Sequence, residues 1–225
     1  MSETPRWSVE THADPTELFR AAAAHVAGRA RDAVHDHGRF TFAVSGGRTP
    51  WLMFAELVHE DMPWDSTDIF QVDERITGPE DPDRNLLHLH QALGDAPAHV
   101  HPMPVEAGDL EAAARQYAAE LPDRFDLIHL GLGPDGHTAS LVPGDPILEV
   151  HDQRVAITTN PYQGHRRMSL TYPTLDAAQH VLWLVTGADK ARALRELLDH
   201  DVAIPAGRVT ARDNLVVTDP AAEGR

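Results

Sequence analysis

A histidine and an aspartate lie two residues apart in a glycine-rich segment, and these residue types suit proton transfer. The segment is Gly131-Leu-Gly-Pro-Asp-Gly-His137. A histidine side chain has an unperturbed pKa that suits a general base near neutral pH, and Asp135 could orient His137 or bind a substrate hydroxyl. Because glycine has no Cβ, the backbone here can approach a ligand closely. Both polar side chains could instead cap a short helix.

Two further segments could bind an anion. In Ser45-Gly-Gly-Arg-Thr-Pro50 a glycine-rich turn precedes a predicted helix, whose N-terminus favours negative charge. The groups that could bind a phosphate there are the amides of Gly46, Gly47 and Arg48 and the hydroxyls of Ser45 and Thr49. The turn lacks the Lys-Ser/Thr ending of a nucleoside-triphosphate loop. In Thr186-Gly-Ala-Asp-Lys190, the lysine begins another helix and could bind the same anion or be a solvated surface lysine.

Other polar groups allow more than one interpretation. Asp73-Glu-Arg75 follows a predicted strand and could line a ligand crevice, or Glu74 and Arg75 could form a local ion pair. The histidine pairs His88/His90 and His99/His101 could chelate a metal if they lie on strands. No acidic third ligand has a familiar spacing, so no metal is expected. The sequence has no cysteine and no Gly-x-Ser-x-Gly motif, which excludes a thiolate nucleophile and argues against a serine hydrolase.

The glycine-rich and acidic segments all follow apolar runs that are predicted to be strands. Strands are predicted near residues 40–44, 67–72, 100–103, 125–130, 154–159, 168–172, 180–186 and 214–218. Helices are predicted near residues 16–37, 50–60, 84–93, 109–121 and 187–200, the first of them capped by Asp14. This alternation predicts one α/β domain over residues 1–225, a Rossmann-like three-layer fold whose open, mostly parallel sheet has helices on both faces. The motifs at the carboxyl ends of its strands should form one pocket.

The composition limits the partners. A formal net charge of −16 argues against nucleic acid or an anionic membrane, although a few local cations could still bind a small anionic substrate. No apolar run reaches the roughly 20 residues of a transmembrane helix. The first residues, Met1–Trp7, lack the basic and apolar regions of a signal peptide. A soluble, cytoplasmic monomer is therefore expected.

Taken together, these motifs resemble the 6-phosphogluconolactonase family, which shares a superfamily with glucosamine-6-phosphate isomerase/deaminase. The resemblance covers nearly the whole chain, and its most specific part is the segment 131–144. The segments that carry it are Ser45-Gly-Gly-Arg-Thr-Pro50, Val72-Asp-Glu-Arg75 with Asn85, Gly131-Leu-Gly-Pro-Asp-Gly-His-Thr-Ala-Ser-Leu-Val-Pro-Gly144, Arg167-Met-Ser-Leu-Thr171 and Thr186-Gly-Ala-Asp-Lys190.

The resemblance implies hydrolysis of 6-phospho-D-glucono-1,5-lactone to 6-phospho-D-gluconate, the second step of the oxidative pentose phosphate pathway. His137 would be the general base on water, with Asp135 orienting it, and amides of the turn 131–136 would stabilise the oxyanion. No metal or organic cofactor is expected, because a lactone is already an activated ester. The substrate and its phosphate would be held by Ser45, Gly46, Gly47, Arg48, Thr49, Asp73, Arg75, Gly133, Arg167 and Lys190.

Two alternatives remain at this point. The isomerase/deaminase members carry a glutamate where this sequence has Val142, and a valine cannot transfer a proton. A non-catalytic sugar-phosphate sensor of related fold usually accompanies a basic DNA-binding segment, which this acidic chain lacks. Whether Arg166 or Arg167 faces the ligand is also left open.

Overall fold

The computed structural model describes residues 5–225. The N-terminal segment 1–7, in which no signal peptide is expected, is therefore described only from residue 5 onward. The strands are β1 (Arg6–Thr11), β2 (Phe40–Val44), β3 (Thr67–Gln71), β4 (Asp73–Arg75), β5 (His99–His101), β6 (Leu127–Leu130), β7 (Val155–Ile157), β8 (Arg167–Leu170), β9 (His180–Val185) and β10 (Asp213–Thr218). The α-helices are α1 (Pro15–His37), α2 (Arg48–Leu57), α3 (Asn85–Leu93), α4 (Leu110–Glu120), α5 (Tyr172–Asp176) and α6 (Ala191–Leu198). None of the helices within residues 5–225 combines the length and the apolar character needed to cross a membrane.

Seven strands form one parallel sheet in the order β1-β10-β9-β6-β2-β3-β5. The strands that precede the polar motifs, β9, β6, β2 and β3, are consecutive neighbours in this order. Parallel strands present their carboxyl ends at one edge, so the motifs converge there. The predicted convergence is confirmed.

Helices cover both faces of the sheet. Along β2 the side chains alternate, so that Phe42 and Val44 join one buried cluster and Ala43 joins the other. Helices α1, α2 and α3 pack in the first cluster, and α4, α5 and α6 pack in the second. The three-layer α/β prediction is therefore confirmed, including the cap of α1, where Asp14 accepts hydrogen bonds from two first-turn amides.

Two of the predicted strands lie outside the parallel sheet. The strands near 154–159 and 168–172 are β7 and β8, and they form a small antiparallel sheet in the order β4-β8-β7. The segment 158–166 between them is too short for the crossover that parallel pairing requires, so an antiparallel hairpin forms. Pairing of β4 with β8 places Asp73 beside Ser169 and Arg75 beside Arg167.

The strand β1 was not predicted from the sequence. It adds to the edge of the main sheet beside β10, and most of its side chains are exposed. An edge strand exposed in this way lacks the alternation of apolar and polar residues by which strands are recognised. Its Trp7 nevertheless packs against the core, with its ring stacked on that of Trp183.

Candidate active site

The motifs meet in one cavity with a volume of about 410 Å³. Four cationic side chains line it, those of Arg48, Arg75, Arg167 and Lys190, against the carboxylates of Asp73 and Asp189. Lys190 is the only lysine in the sequence. Every site residue predicted from the sequence lines this cavity except Asp135, which lies beside His137. A cationic cavity in a chain with a net charge of −16 favours an anionic ligand.

The glycine-rich turn after β2 leads directly into helix α2. Gly47 has a φ of +122°, a conformation that other residues rarely adopt, and Arg48 begins the helix. The amides of the first helical turn have no partner within the helix, so they can bind an anion. Gly46 lies against Asn85, whose Oδ1 would be only 1.8 Å from a Cβ added at Gly46.

Ser45 differs from the expectation in one respect. Its buried hydroxyl donates a hydrogen bond to the carbonyl oxygen of His129, at 3.1 Å. A hydroxyl has a single proton, so Ser45 can donate to a phosphate only if this bond is given up. In the structure Ser45 joins the turn to the neighbouring strand β6.

Two arginines from the small sheet lie side by side at the cavity. Arg167 faces Asp73, with 3.6 Å between Nη1 and Oδ2, and Arg75 donates to Oδ1 of Asn85. Burial lowers the pKa of Arg167 from its ordinary value; Asp73 opposes this effect and the nearby Arg75 adds to it. The Nε of each arginine is buried without a hydrogen-bond partner among residues 5–225. Such adjacent donors favour an anionic acceptor.

Glu74 has a structural role, because its carboxylate supports helix α3. The local Glu74–Arg75 ion pair considered from the sequence is not formed. The fully buried carboxylate of Glu74 accepts hydrogen bonds from the amides of Asn85 and Leu86, each at 2.8 Å, and so caps α3. It also lies 3.2 Å from Nε of the buried Arg84. Glu74 therefore holds in place the helix that begins with the cavity residue Asn85.

The structure distinguishes the two consecutive arginines that the sequence left open. Arg166 is exposed, and its Nε donates to the carbonyl oxygen of Thr158 at 2.9 Å. Arg167 is buried and lines the cavity. Arg166 directly precedes β8, and its carbonyl oxygen still accepts a hydrogen bond from the amide of Ile76 beyond β4. Successive side chains of such an extended segment point to opposite sides, so only one of the two can face a ligand.

His137 and Asp135 form a hydrogen-bonded pair at the rim of the cavity. Nδ1 of His137 lies 2.6 Å from Oδ1 of Asp135. Partial burial acts to raise the pKa of Asp135, but the hydrogen bond and charge of His137 outweigh it, and the pKa is lowered below its usual value. An ionised carboxylate accepts the Nδ1 proton and leaves Nε2 of His137 as the basic nitrogen.

Gly133 makes room for this pair. A Cβ added there would lie 2.0 Å from Nδ1 of His137 and 2.6 Å from Oδ1 of Asp135. The Gly133 amide donates to the carbonyl oxygen of His137 at 2.8 Å, and the Gly136 amide donates to that of Gly133 at 3.0 Å. These two amides stabilise the turn itself and are not free to bind an oxyanion.

Two further residues of the site were not identified from the sequence. The hydroxyl of Tyr162 lies 3.3 Å from both Oδ2 of Asp135 and Nδ1 of His137. Gln163 lines the cavity and accepts a hydrogen bond from Arg167 at 3.3 Å. Both lie in the hairpin between β7 and β8, where no local pattern indicates which side chains turn inward.

The histidine pairs that could have chelated a metal lie elsewhere. His88 and His90 are on helix α3, where residues two apart point in different directions. In the other pair, His101 hydrogen bonds to Asp68 at 3.0 Å. None of these histidines lines the cavity.

Comparison with known proteins identifies the family. The model of the family described as glucosamine-6-phosphate isomerases/6-phosphogluconolactonase matches residues 13–218. A 6-phosphogluconolactonase of Synechocystis sp. is 39% identical over 80% of each chain. One of Streptomyces coelicolor is 34% identical over 94% of this chain and 90% of its own length. The crystal structure of a 6-phosphogluconolactonase from Shewanella baltica superposes with a TM-score of 0.85 at 25% identity, over 96% of this chain and 97% of its own.

The fold alone does not separate the two branches of this family. A solved monomeric glucosamine-6-phosphate deaminase superposes with a TM-score of 0.82 at 20% identity, over 96% of this chain and 99% of its own. At the position where the sequence resemblance places the isomerase glutamate, this chain has the partly buried Val142. The nearby carboxylate of Asp145 is buried and accepts hydrogen bonds from three backbone amides. The chain therefore belongs to the glucosamine-6-phosphate isomerase/6-phosphogluconolactonase family, within its 6-phosphogluconolactonase members.

Proposed function

We propose that His137 is the general base in the hydrolysis of 6-phospho-D-glucono-1,5-lactone to 6-phospho-D-gluconate, the lactonase reaction that this chain shares with its 6-phosphogluconolactonase relatives. One observation carries the proposal. The pair of His137 and Asp135 lies at the rim of a cavity lined by four cationic side chains. An orienting carboxylate beside a histidine, next to an anion-binding site, suits a phosphorylated substrate that reacts with water.

The proposed chemistry needs one residue that acts twice. Nε2 of His137 takes a proton from water as the oxygen attacks C1 of the lactone. As the bond between C1 and the ring oxygen breaks, the imidazolium returns that proton to the ring oxygen. Asp135 keeps the opposite nitrogen protonated and stabilises the imidazolium. General acid–base catalysis of this kind typically contributes about 10²–10⁴-fold.

The cations would anchor the 6-phosphate and so place C1 for attack. The N-terminal amides of α2 and the side chains of Arg48 and Lys190 are its proposed ligands, with Arg75 and Arg167 as further contacts to the substrate. Lys190 lies 3.2 Å from Asp189, within the same lining. Binding energy from a group remote from the reacting carbon can lower the barrier when it positions that carbon for attack.

The remaining expectations stay predictions. The high net negative charge supports the absence of a nucleic-acid or membrane partner. A single domain is supported by the buried cluster that contains residues of both sheets, such as Ile128 and Met168. We retain the proposal of a cytoplasmic monomer, which sedimentation and cell fractionation can test.

The decisive experiment compares wild type with His137→Ala on freshly prepared lactone at neutral pH, with the spontaneous hydrolysis rate subtracted. We expect kcat to fall by about 10²-fold or more while KM stays within about twofold, because the base acts in the transition state. Lys190→Met should mainly raise KM. His151→Ala, at an exposed histidine, is the matched control and should leave both constants unchanged.

Each outcome separates the parts of the proposal. Rapid wild-type hydrolysis that survives in His137→Ala would retain the activity and reject the base. No hydrolysis above background would reject the activity, and glucosamine 6-phosphate would then be the substrate to assay. An equal loss of kcat from Lys190→Met, with KM unchanged, would contradict a simple anchoring role.

A further inference from the structure

Tyr162 lies at the start of a tight turn in the hairpin that joins β7 to β8. Tyr162 and His165 exchange backbone hydrogen bonds of 2.9 and 3.4 Å across this turn. The two residues between them, Gln163 and Gly164, have φ values of +51° and +88°. Positive φ at both central residues is the geometry of a type I′ hairpin turn. Because glutamine rarely adopts this conformation, the turn depends on contacts around it.

Contacts on both sides hold this turn over the cavity. On the outer side, Nε2 of His165 lies 3.2 Å from Oδ2 of Asp83, in the loop before α3. On the inner side, Nη2 of Arg167 donates to the carbonyl oxygen of Tyr162 and to Oε1 of Gln163, each at 3.3 Å. The backbone of Tyr162 is therefore fixed with respect to the cavity.

The side chain of Tyr162 contacts both functional parts of the site. Its hydroxyl is within 3.3 Å of Oδ2 of Asp135, and its ring packs edge-on against the ring of His137, with 5.0 Å between centroids. The guanidinium of Arg167 lies 5.3 Å from the centroid of the same ring, within the range of a cation–π contact. Burial and the negative charge of Asp135 raise the pKa of Tyr162, so its hydroxyl stays protonated and can donate.

We propose that Tyr162 is a positioning residue, which holds Asp135 against His137 through its hydroxyl and holds Arg167 through its ring. The inference rests on the proposed role of His137. With Oδ1 bonded to Nδ1 of His137 and Oδ2 bonded to Tyr162, the carboxylate of Asp135 cannot rotate away from the imidazole. Nε2 then remains directed at the substrate. The same tyrosine sets the separation between the base and the substrate-binding guanidinium.

The two contacts make separable predictions. Tyr162→Phe removes the hydroxyl and keeps the ring, so we expect kcat to fall about three- to tenfold, the effect of one hydrogen bond, with KM unchanged. Tyr162→Leu also removes the aromatic face, so KM should rise in addition. If Tyr162 acts through Asp135, the loss caused by Tyr162→Phe should disappear in an Asp135→Ala background, because coupled residues are not additive.

The test is a double-mutant cycle of wild type, Tyr162→Phe, Asp135→Ala and the double variant, in which kcat and KM of each protein are measured. An unchanged kcat in Tyr162→Phe, or the same fold loss with and without Asp135, overturns the proposal. Tyr172→Phe is the control, since it removes the hydroxyl of a buried tyrosine that donates to Pro205 and should change stability rather than kcat. Urea unfolding of each variant identifies any that do not fold, and Tyr162→Phe with its cycle suffices if Tyr162→Leu is among them. Failure of the base itself is detected separately by His137→Ala.

Discussion

At the scale of single residues, two glycines of the site, Gly133 and Gly46, leave room for neighbouring polar side chains. Gly133 does not have a positive φ, so its backbone conformation does not require glycine. Glycine is required because a Cβ at this position would overlap neighbouring side chains. The space it leaves is filled by His137 and Asp135, whose short hydrogen bond defines the tautomer of the proposed base, His137. Gly46 does the same for Asn85.

Gly133→Ala should therefore impair catalysis without removing a functional group. The new Cβ would lie 2.0 Å from Nδ1 of His137 and would displace the ring, and a shift of about 1 Å can cost about 10²-fold in rate. We expect a fall in kcat, measured by steady-state lactone hydrolysis, with an unfolding midpoint close to that of wild type. Gly108→Ala, where an added Cβ meets no atom within 4 Å, is the control. Wild-type kcat in Gly133→Ala would contradict the steric argument.

At the scale of elements, helix α3 shows how a buried charge supports the site without contacting a ligand. Its first residue, Asn85, lines the cavity, and its N-terminus is capped by Glu74 from β4. Glu74 also compensates the charge of buried Arg84. The small sheet and the helix are thus joined by one carboxylate, which explains why an acidic residue occurs in the middle of the Asp-Glu-Arg segment.

Glu74→Gln tests this structural role. Removal of one member of a buried ion pair typically costs about 3–5 kcal/mol, and without the Glu74 charge Arg84 keeps only the half-exposed Glu106 as a partner. We expect the free energy of unfolding in urea to fall by a few kcal/mol and KM to rise as Asn85 moves. Glu106→Gln is the matched control, because Glu106 pairs with the same Arg84 but is half exposed, and its loss should cost less than about 1 kcal/mol. Equal effects of the two substitutions would argue against the capping role.

At the scale of the whole molecule, the fully buried His129 and the partly buried His25 should make the fold sensitive to acid. Burial lowers the pKa of His129 to about 3, and burial together with Arg29 and His180 lowers that of His25 to about 4. Both ring nitrogens of His129 lack hydrogen-bond partners among residues 5–225. The folded state therefore keeps these histidines neutral, while the unfolded chain protonates them below about pH 6.5.

The sign of the effect follows from proton binding. Below pH 6.5 the unfolded state binds more protons, so stability is full above this pH and falls as the pH is lowered. Each of the two histidines should cost about 2 kcal/mol between pH 6.5 and 5. Carboxylates with lowered pKa values, such as Asp68 and Asp213, destabilise only at lower pH, as they become protonated. Urea unfolding at several pH values measures how the free energy of unfolding changes with pH. In His129→Leu this free energy should fall less steeply as the pH is lowered, and an unchanged slope would exclude His129 as a source of the acid sensitivity.

Much of the site could be inferred before the fold was known, because the relevant patterns are local. Apolar runs predicted most of the strands, and the polar segments after them had to converge, since parallel strands end at one edge of a sheet. This is why Ser45, Asp73, His137 and Lys190 could be placed in one cavity from their positions in the chain. The edge strand β1 was not predicted, because its mostly exposed side chains do not alternate between apolar and polar residues.

Other features depend on partners that are distant in the chain, and the folded structure was needed to reveal them. The antiparallel pairing of β4 with β8 makes Arg167, not Arg166, a neighbour of Arg75. The same sheet brings the hairpin carrying Tyr162 over His137, and folding of α3 against β4 converts Glu74 into a buried cap. Local sequence specifies which backbone conformations and chemical groups are available. Contacts between segments tens of residues apart depend on packing, because burial and hydrogen-bond partners are properties of the assembled chain.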